Sequence, residues 1–157
     1  MAVVKTLNFK SNNIIQISND NQYLFELIAG SSLNCYKIDG NNVILQWSKA
    51  CVDFTLIPGK PDQVIILENT GNAAVTEIAT NKALLTFHAF VYSAKSIIDI
   101  DYATKTLVTG EGNYRNVNIH LINFETGQLI KSVLCVISNV RTKNGKLFIN
   151  RSSINVN

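Results

Sequence analysis

The sequence predicts an all-β fold built from stacked four-stranded antiparallel meanders, and three observations predict it. Groups of short apolar strands begin at Asn12, Cys51, Lys95 and Val136, at spacings of 39, 44 and 41 residues. Three groups run to four strands and the last to three. Between the strands lie short stretches of Asn, Gly, Asp and Ser, residue types that accept turn backbone. A period of about 40 residues with four strands per unit is the pattern of β-propeller blades.

Composition fits this frame. Of 157 residues, 46% are hydrophobic and 16% charged, which excludes an intrinsically disordered chain. Twenty residues are Asn, which competes with helical backbone for hydrogen bonds, and two are Pro, so strands are rarely interrupted. The net charge of +3 is unevenly spread. Residues 1–125 hold nine basic and eleven acidic side chains, whereas residues 126–157 hold Lys131, Arg141, Lys143, Lys146 and Arg151 and no acid. An acid-free end of this kind suits an acidic partner or a phosphate backbone. The N-terminal stretch lacks the apolar run of a signal peptide, and no segment has the roughly 18 apolar residues of a membrane span. Cys35, Cys51 and Cys135 sit in or beside apolar strands without metal-ligand spacing, as buried reduced thiols do. An intracellular protein that does not enter the membrane is expected.

The elements follow in order. The first unit, 12–48, reads NNIIQIS, YLFELIA, LNCYKI and VILQWS, with Asp39-Gly40 as a hairpin signal before the last run. The second, 51–90, reads CVDFTLI, QVIILEN, AAVTEIA and ALLTFHAF. Residues 74–90 contain helix formers, but Thr80-Asn81-Lys82 breaks the run and Val75, Thr76 and Ile78 are β-branched, so two strands are expected. The third unit, 95–135, reads KSIIDID, TLVTG, VNIHLIN and LIKSVLC around a loop at 111–116. The fourth, 136–157, reads VISNV, KLFIN and INVN, with a turn at 141–145. A four-stranded meander has two apolar faces and cannot bury both alone; stacking covers them. The continuous apolar stretches IIQI, VIIL and SIIDI therefore read as strands covered on both faces.

Residues 106–130, TLVTGEGNYRNVNIHLINFETGQLI, resemble a blade of the WD-repeat family. Val108-Thr109-Gly110 matches that family's second strand, and Ile119, Leu121, Ile122 and Asn123 match its third, with Ile122-Asn123 where the Trp-Asp pair would stand. Glu125-Thr126-Gly127 with Leu129-Ile130 matches the turn into the outer strand. In the second unit Thr80-Asn81-Lys82 with Leu84-Leu85 resembles the same turn, Asn-Lys replacing Thr-Gly. The Gly-His dipeptide is missing near Ala89-Phe90, and His88 is not given its role. The resemblance implies a degenerate propeller used for interaction. Many such propellers close when an N-terminal strand completes the last blade, and residues 3–9 are the candidate closing strand here. A closed four-bladed ring, an eight-bladed ring of two copies, and a ring completed by further polypeptide are all compatible with the strand count.

The sequence offers little chemistry. It contains no HExxH, GxSxG, P-loop or paired Cys/His spacing. Gly110-Glu111-Gly112 reads as a turn rather than the start of a dinucleotide fingerprint. Asp99 and Asp101 share one face of a strand, where they would accept backbone hydrogen bonds or line a central ligand channel. His88 and His120 have no thiol partner in sequence. Trp47 is expected to pack against the next blade. Candidate contact residues are Tyr114, Arg115 and Arg151, with Arg141, Lys143 and Lys146 as further basic contacts, because Tyr and Arg dominate binding hot spots. The expectation is a non-catalytic scaffold or complex subunit that uses no cofactor or metal. Its partner would be a protein that completes or docks on the propeller, a second copy in a homodimer, or RNA. A small closed propeller binding a ligand in its channel is the third alternative.

Overall fold

The computed structural model describes residues 10, 12–29, 31–89, 95–112, 117–135, 139–143 and 146–150. They form fourteen strands and no helix. The first sheet is β1 (Ile14–Ile17), β2 (Tyr23–Ile28), β3 (Ser32–Asp39) and β4 (Asn42–Ala50). The second is β5 (Asp53–Leu56), β6 (Gln63–Leu67), β7 (Asn72–Glu77) and β8 (Lys82–His88). The third is β9 (Lys95–Asp101), β10 (Thr106–Gly112), β11 (Val117–Asn123) and β12 (Leu129–Cys135), and β13 (Asn139–Lys143) pairs with β14 (Lys146–Asn150). Every sheet is an antiparallel meander in chain order, so each is a blade. β9 touches β5 on one side and β13 on the other, which places the first strands of these blades together. Among the described residues the sheets do not close into a ring.

The period is written into the backbone as well as the sequence. In each four-stranded blade the amide of Ile38, Ile78 or Phe124 donates to the carbonyl of Gln22, Asp62 or Lys105, at 2.8, 2.9 and 3.0 Å. Three residues before each of those amides, the pairing of third and fourth strands slips by one, between Cys35 and Tyr36, Val75 and Thr76, and Leu121 and Ile122. The extra residue, Gln46, Leu84 or Ile130, always lies on the outer strand. A β-bulge at one place in three blades is a designed feature of the fold. Asn81 (φ 57) and Gly127 (φ 74) hold the left-handed conformation in the two turns whose sequences resemble one another. Asn123 supports the second of these by accepting the amides of Glu125 and Thr126 on its side-chain oxygen, at 2.9 and 3.1 Å.

The blades are joined by two apolar interfaces. Phe25, Leu27, Leu33 and Cys35 of the first blade pack on Phe54, Val64, Ile66 and Ile78 of the second. Trp47 stands edge-on to Phe25 and donates its indole N–H to the Ile78 carbonyl at 2.7 Å, so it packs against the next blade as expected. Ile65, Leu67, Val75 and Phe87 of the second blade pack on Leu107, Ile122 and Phe124 of the third. Alternation along a strand sends odd and even residues of β6 to opposite neighbours, which is why all of Val64–Leu67 are fully buried.

Several expectations are corrected. IIQI does not read like VIIL in the structure: Ile14, Ile15 and Ile17 are all exposed. Among the described residues no further sheet stacks on that blade's other side, so the side chains of Ile15 and Ile17 are not matched by burial. Arg141 and Lys143 stand on β13 rather than in a turn, and Gly110-Glu111-Gly112 ends β10 rather than forming a turn. One expectation holds: the run after residue 74 is two strands, β7 and β8, parted by the turn at Thr80-Asn81. The candidate closing strand 3–9 and the run 154–157 lie outside the described residues.

Candidate functional site

The predicted contact residues are only partly placed. Tyr114, Arg115 and Arg151 lie outside the described residues. Arg141 and Lys143 belong to β13, and Lys146 opens β14 directly across from Lys143. Three cations and no acid thus occupy one hairpin.

A polar cluster that the sequence reading passed over sits on the free face of the first blade. Phe25 and Leu27 point to the second blade, so Leu24 and Glu26 point the other way. The Glu26 carboxylate is buried and accepts three side-chain donors: Tyr36 Oη at 2.8 Å, Asn13 Nδ2 at 2.6 Å and Asn34 Nδ2 at 3.2 Å. Burial alone would raise its pKa; the donors from Tyr36, Asn34 and Asn13 outweigh that and hold it below the usual glutamate value. Register places Ile15 opposite Glu26, Ile17 opposite Leu24 and Leu45 opposite Tyr36, so aliphatic side chains surround the carboxylate. Ile15, Ile17 and Leu45 are 37%, 50% and 53% exposed. The available signal was one charged residue inside the apolar run YLFELI; its partners come from β3 and from Asn13, and a linear reading does not join them.

The outer strands make a second apolar surface. Ile44 and Leu45 on β4, Leu84 on β8, and Leu129, Ile130 and Leu134 on β12 are each at least half exposed. Large aliphatic side chains recurring on the last strand of each four-stranded blade form a broken rim, and exposed apolar groups of this kind mark association surfaces.

Among the described residues, several thiols, carboxylates and imidazoles have structural partners or are buried. Burial pushes the thiols of Cys35 and Cys51 up to about 12, so they are protonated and poor nucleophiles. Asp99 accepts the Ile100 amide at 2.9 Å, and Asp101 accepts the amides of Ala103 and Thr104 at 3.0 and 3.4 Å. The two carboxylates hold backbone. Asp53 bridges blades, taking the Ile97 amide at 2.8 Å and the Phe54 amide at 2.8 Å; burial raises its pKa against the pull of those two bonds. His120 meets Ser132 at 2.8 Å and His88 meets Asn72 at 3.2 Å. An open pocket of about 230 Å³ between the inner strands is lined by Asn12, Ile14, Leu27, Val52, Asp53 and Ser96. Its carboxylate is already committed to backbone, and Asp99 and Asp101 do not line it. Among the described residues no three His, Cys, Asp or Glu side chains group as metal ligands, and no helix is long and apolar enough to cross a membrane.

No protein-family model matches the chain, and no curated protein sequence does. Solved structures do resemble it. One is KlHsv2 with loop 6CD replaced by a Gly-Ser linker, at a TM-score of 0.59 and 11% identity, matched over 80% of this chain and 40% of that one. Another is the computationally designed Ika4 protein, at a TM-score of 0.61 and 13% identity, matched over 88% of this chain and 85% of that one. The chain thus spans two fifths of the first structure and most of the second. At these identities the likeness shows the fold alone, and with three four-stranded antiparallel sheets it makes this a β-propeller-like protein.

Proposed function

We propose that this chain is a non-catalytic interaction scaffold, a subunit of an intracellular multiprotein complex, built on degenerate WD-type blades. The observation that carries the reading is the exposed aliphatic rim on β4, β8 and β12. Spent carboxylates and protonated, buried thiols agree with it. Tyr114, Arg115 and Arg151 are the proposed polar contacts. The test is the native mass of the protein isolated from cells, with a variant in which Leu129, Ile130 and Leu134 are changed to Asp. The wild type is expected in an assembly containing other proteins. The variant should keep its β-sheet circular dichroism and leave the assembly. A wild type that carries no other protein overturns the reading.

A second reading, an RNA-associated subunit of a processing or modifying complex, is favoured by the acid-free β13–β14 hairpin with Lys143 opposite Lys146. Binding of single-stranded RNA should then fall steeply with salt. Charge reversal at Arg115, Arg141, Lys143 and Arg151 should abolish it. Unchanged binding removes this reading.

A further inference from the structure

We infer that the cleft between the inner strands of the first and second blades binds an alkylammonium group, its charge meeting Asp53 and its hydrocarbon chain lying against Ile14 and Leu27. This cleft is separate from the exposed rim and from the cationic hairpin, and its occupancy is independent of the scaffold reading. Three equivalent positions define it. Counting on from the turn acceptors Gln22, Asp62 and Lys105, the residues Leu27, Leu67 and Gly110 occupy one place in their blades. They pair with Ile14, Asp53 and Ser96, which are therefore equivalent too. The residues that follow, Ile15, Phe54 and Ile97, form a second such set.

Between the second and third blades this position makes a bridge. The Asp53 carboxylate reaches across and accepts the Ile97 amide at 2.8 Å. Between the first and second blades the same position is Ile14, which has no acceptor to offer the equivalent amide, that of Phe54. Asp53 takes that amide itself, at 2.8 Å. The bridge is replaced by a gap. Ile14 pairs with Leu27 and so shares its face, the one that packs toward the second blade, yet Ile14 is 50% exposed. The pocket of about 230 Å³ is the reason. Ile14, Leu27 and Ala29 line it from the first blade, Val52 and Asp53 from the second, and Ser96 from the third.

That lining selects the ligand. An ionised carboxylate has about four lone-pair positions. The two amides use one on each oxygen and fix its orientation, which leaves one on each for a further donor. Among the described residues no ion pair reaches Asp53. Burial outweighs its two amide bonds and holds its pKa above the ordinary aspartate value. A carboxylate in that state gains most from a cationic donor. A metal ion would find one carboxylate and aliphatic carbon where it needs about six oxygens. An anion is repelled. An ammonium on a short hydrocarbon chain suits both the acid and the apolar wall, and the small volume, below the roughly 300 Å³ at which drug-sized pockets begin, keeps the chain short.

The test is an NMR titration of the 157-residue chain with n-butylammonium chloride. It is read at the backbone amides of Phe54 and Ile97, which both donate to Asp53. Saturable shifts of the two amides are expected, in the millimolar range that one charge-assisted bond and a short buried chain provide. Butanol and sodium butyrate at the same concentration and ionic strength should leave both amides in place. Asp53→Asn should weaken binding by about tenfold or more, through loss of the charged acceptor. Ala29→Leu keeps the carboxylate and its amide bonds but fills the cleft, so it should abolish the titration while β-sheet circular dichroism stays unchanged. It carries the test if Asp53→Asn does not fold. A second probe, Nα-acetyl-lysine methylamide, reads the source of the ammonium. Tighter binding than butylammonium assigns the cleft to a lysine side chain of a partner, and weaker binding assigns it to a free amine. The proposal is overturned if no saturable shift occurs, if butanol binds as tightly as butylammonium, or if potassium chloride alone gives the same shifts. Undiminished binding in Ala29→Leu overturns it as well.

Discussion

Ile17 on β1 and Leu56 on β5 occupy the same place in their sheets, and so do Glu26 on β2 and Ile66 on β6. Leu56 and Ile66 belong to the core between the first two blades, whereas Ile17 is half exposed and Glu26 sits within a polar cluster. The local sequence makes the strand in both cases. What differs is the neighbour. Burial in a stacked architecture belongs to the interface between units, so equivalent residues carry different energies according to which blade they are in.

The sharpest way to break the comparison is to truncate equivalent positions. Ile66→Ala should cost about 3–4 kcal/mol in urea unfolding, through lost transfer energy and a cavity between two blades. Ile17→Ala, measured in dilute solution, should cost less than about 0.5 kcal/mol. Similar losses at both sites would mean that the face of the first blade is covered within the chain.

The outer turns provide the next contrast. Gly127 is left-handed, and an added Cβ would lie 2.7 Å from the Phe87 Cβ. Gly40 is left-handed with nothing within 4 Å of that point. Gly127→Ala should therefore cost about 2–3 kcal/mol, backbone strain plus steric conflict, and Gly40→Ala about 1 kcal/mol, strain alone. Thermal unfolding of the pair separates the two contributions. Trp47→Phe keeps most of the ring and removes the indole bond to the Ile78 carbonyl; a loss of about 1 kcal/mol is expected from the same assay.

The smallest effect is the pH dependence, and its sign differs between the blades. The Glu26 carboxyl is held below its ordinary value, so the folded state binds that proton more weakly than the unfolded chain does. Its contribution is complete above about pH 4.5 and is lost as pH falls through the folded value. Asp53 is raised, so the native state binds its proton more tightly. Its contribution is greatest below about pH 3.8 and declines as pH rises to the folded value. Unfolding curves of Glu26→Gln and Asp53→Asn between pH 3 and 7 should deviate from wild type in opposite senses (roughly a few tenths of a kcal/mol each). Deviations of one sign would contradict the donor set around Glu26.

Much of the fold was legible because strand alternation and turn chemistry are local. Thr80-Asn81-Lys82 could be read as a break, and Asn81 does turn the chain with positive φ. Asp99 and Asp101 could be read as backbone acceptors because a carboxylate near a strand end has amides within reach. Burial was not legible to the same degree. IIQI and VIIL are nearly the same word, and only the neighbouring blade distinguishes them. The Glu26 cluster escaped for a related reason. Asn13, Glu26, Asn34 and Tyr36 meet only once three strands are in register, and the one-residue pleat decides which face they share.

The bulge that recurs after Cys35, Val75 and Leu121 has a consequence for solubility. Each outer strand is an open edge carrying exposed aliphatic side chains, the combination that seeds strand-to-strand polymerisation. By leaving Gln46, Leu84 or Ile130 without a partner, the bulge sharpens the twist and spoils the straight ladder that a foreign strand would need. The protein can then display sticky side chains on its circumference while denying them a matching backbone. Removing the extra residue from any one of these three blades would flatten that edge and turn an exposed aliphatic rim into a template for fibres.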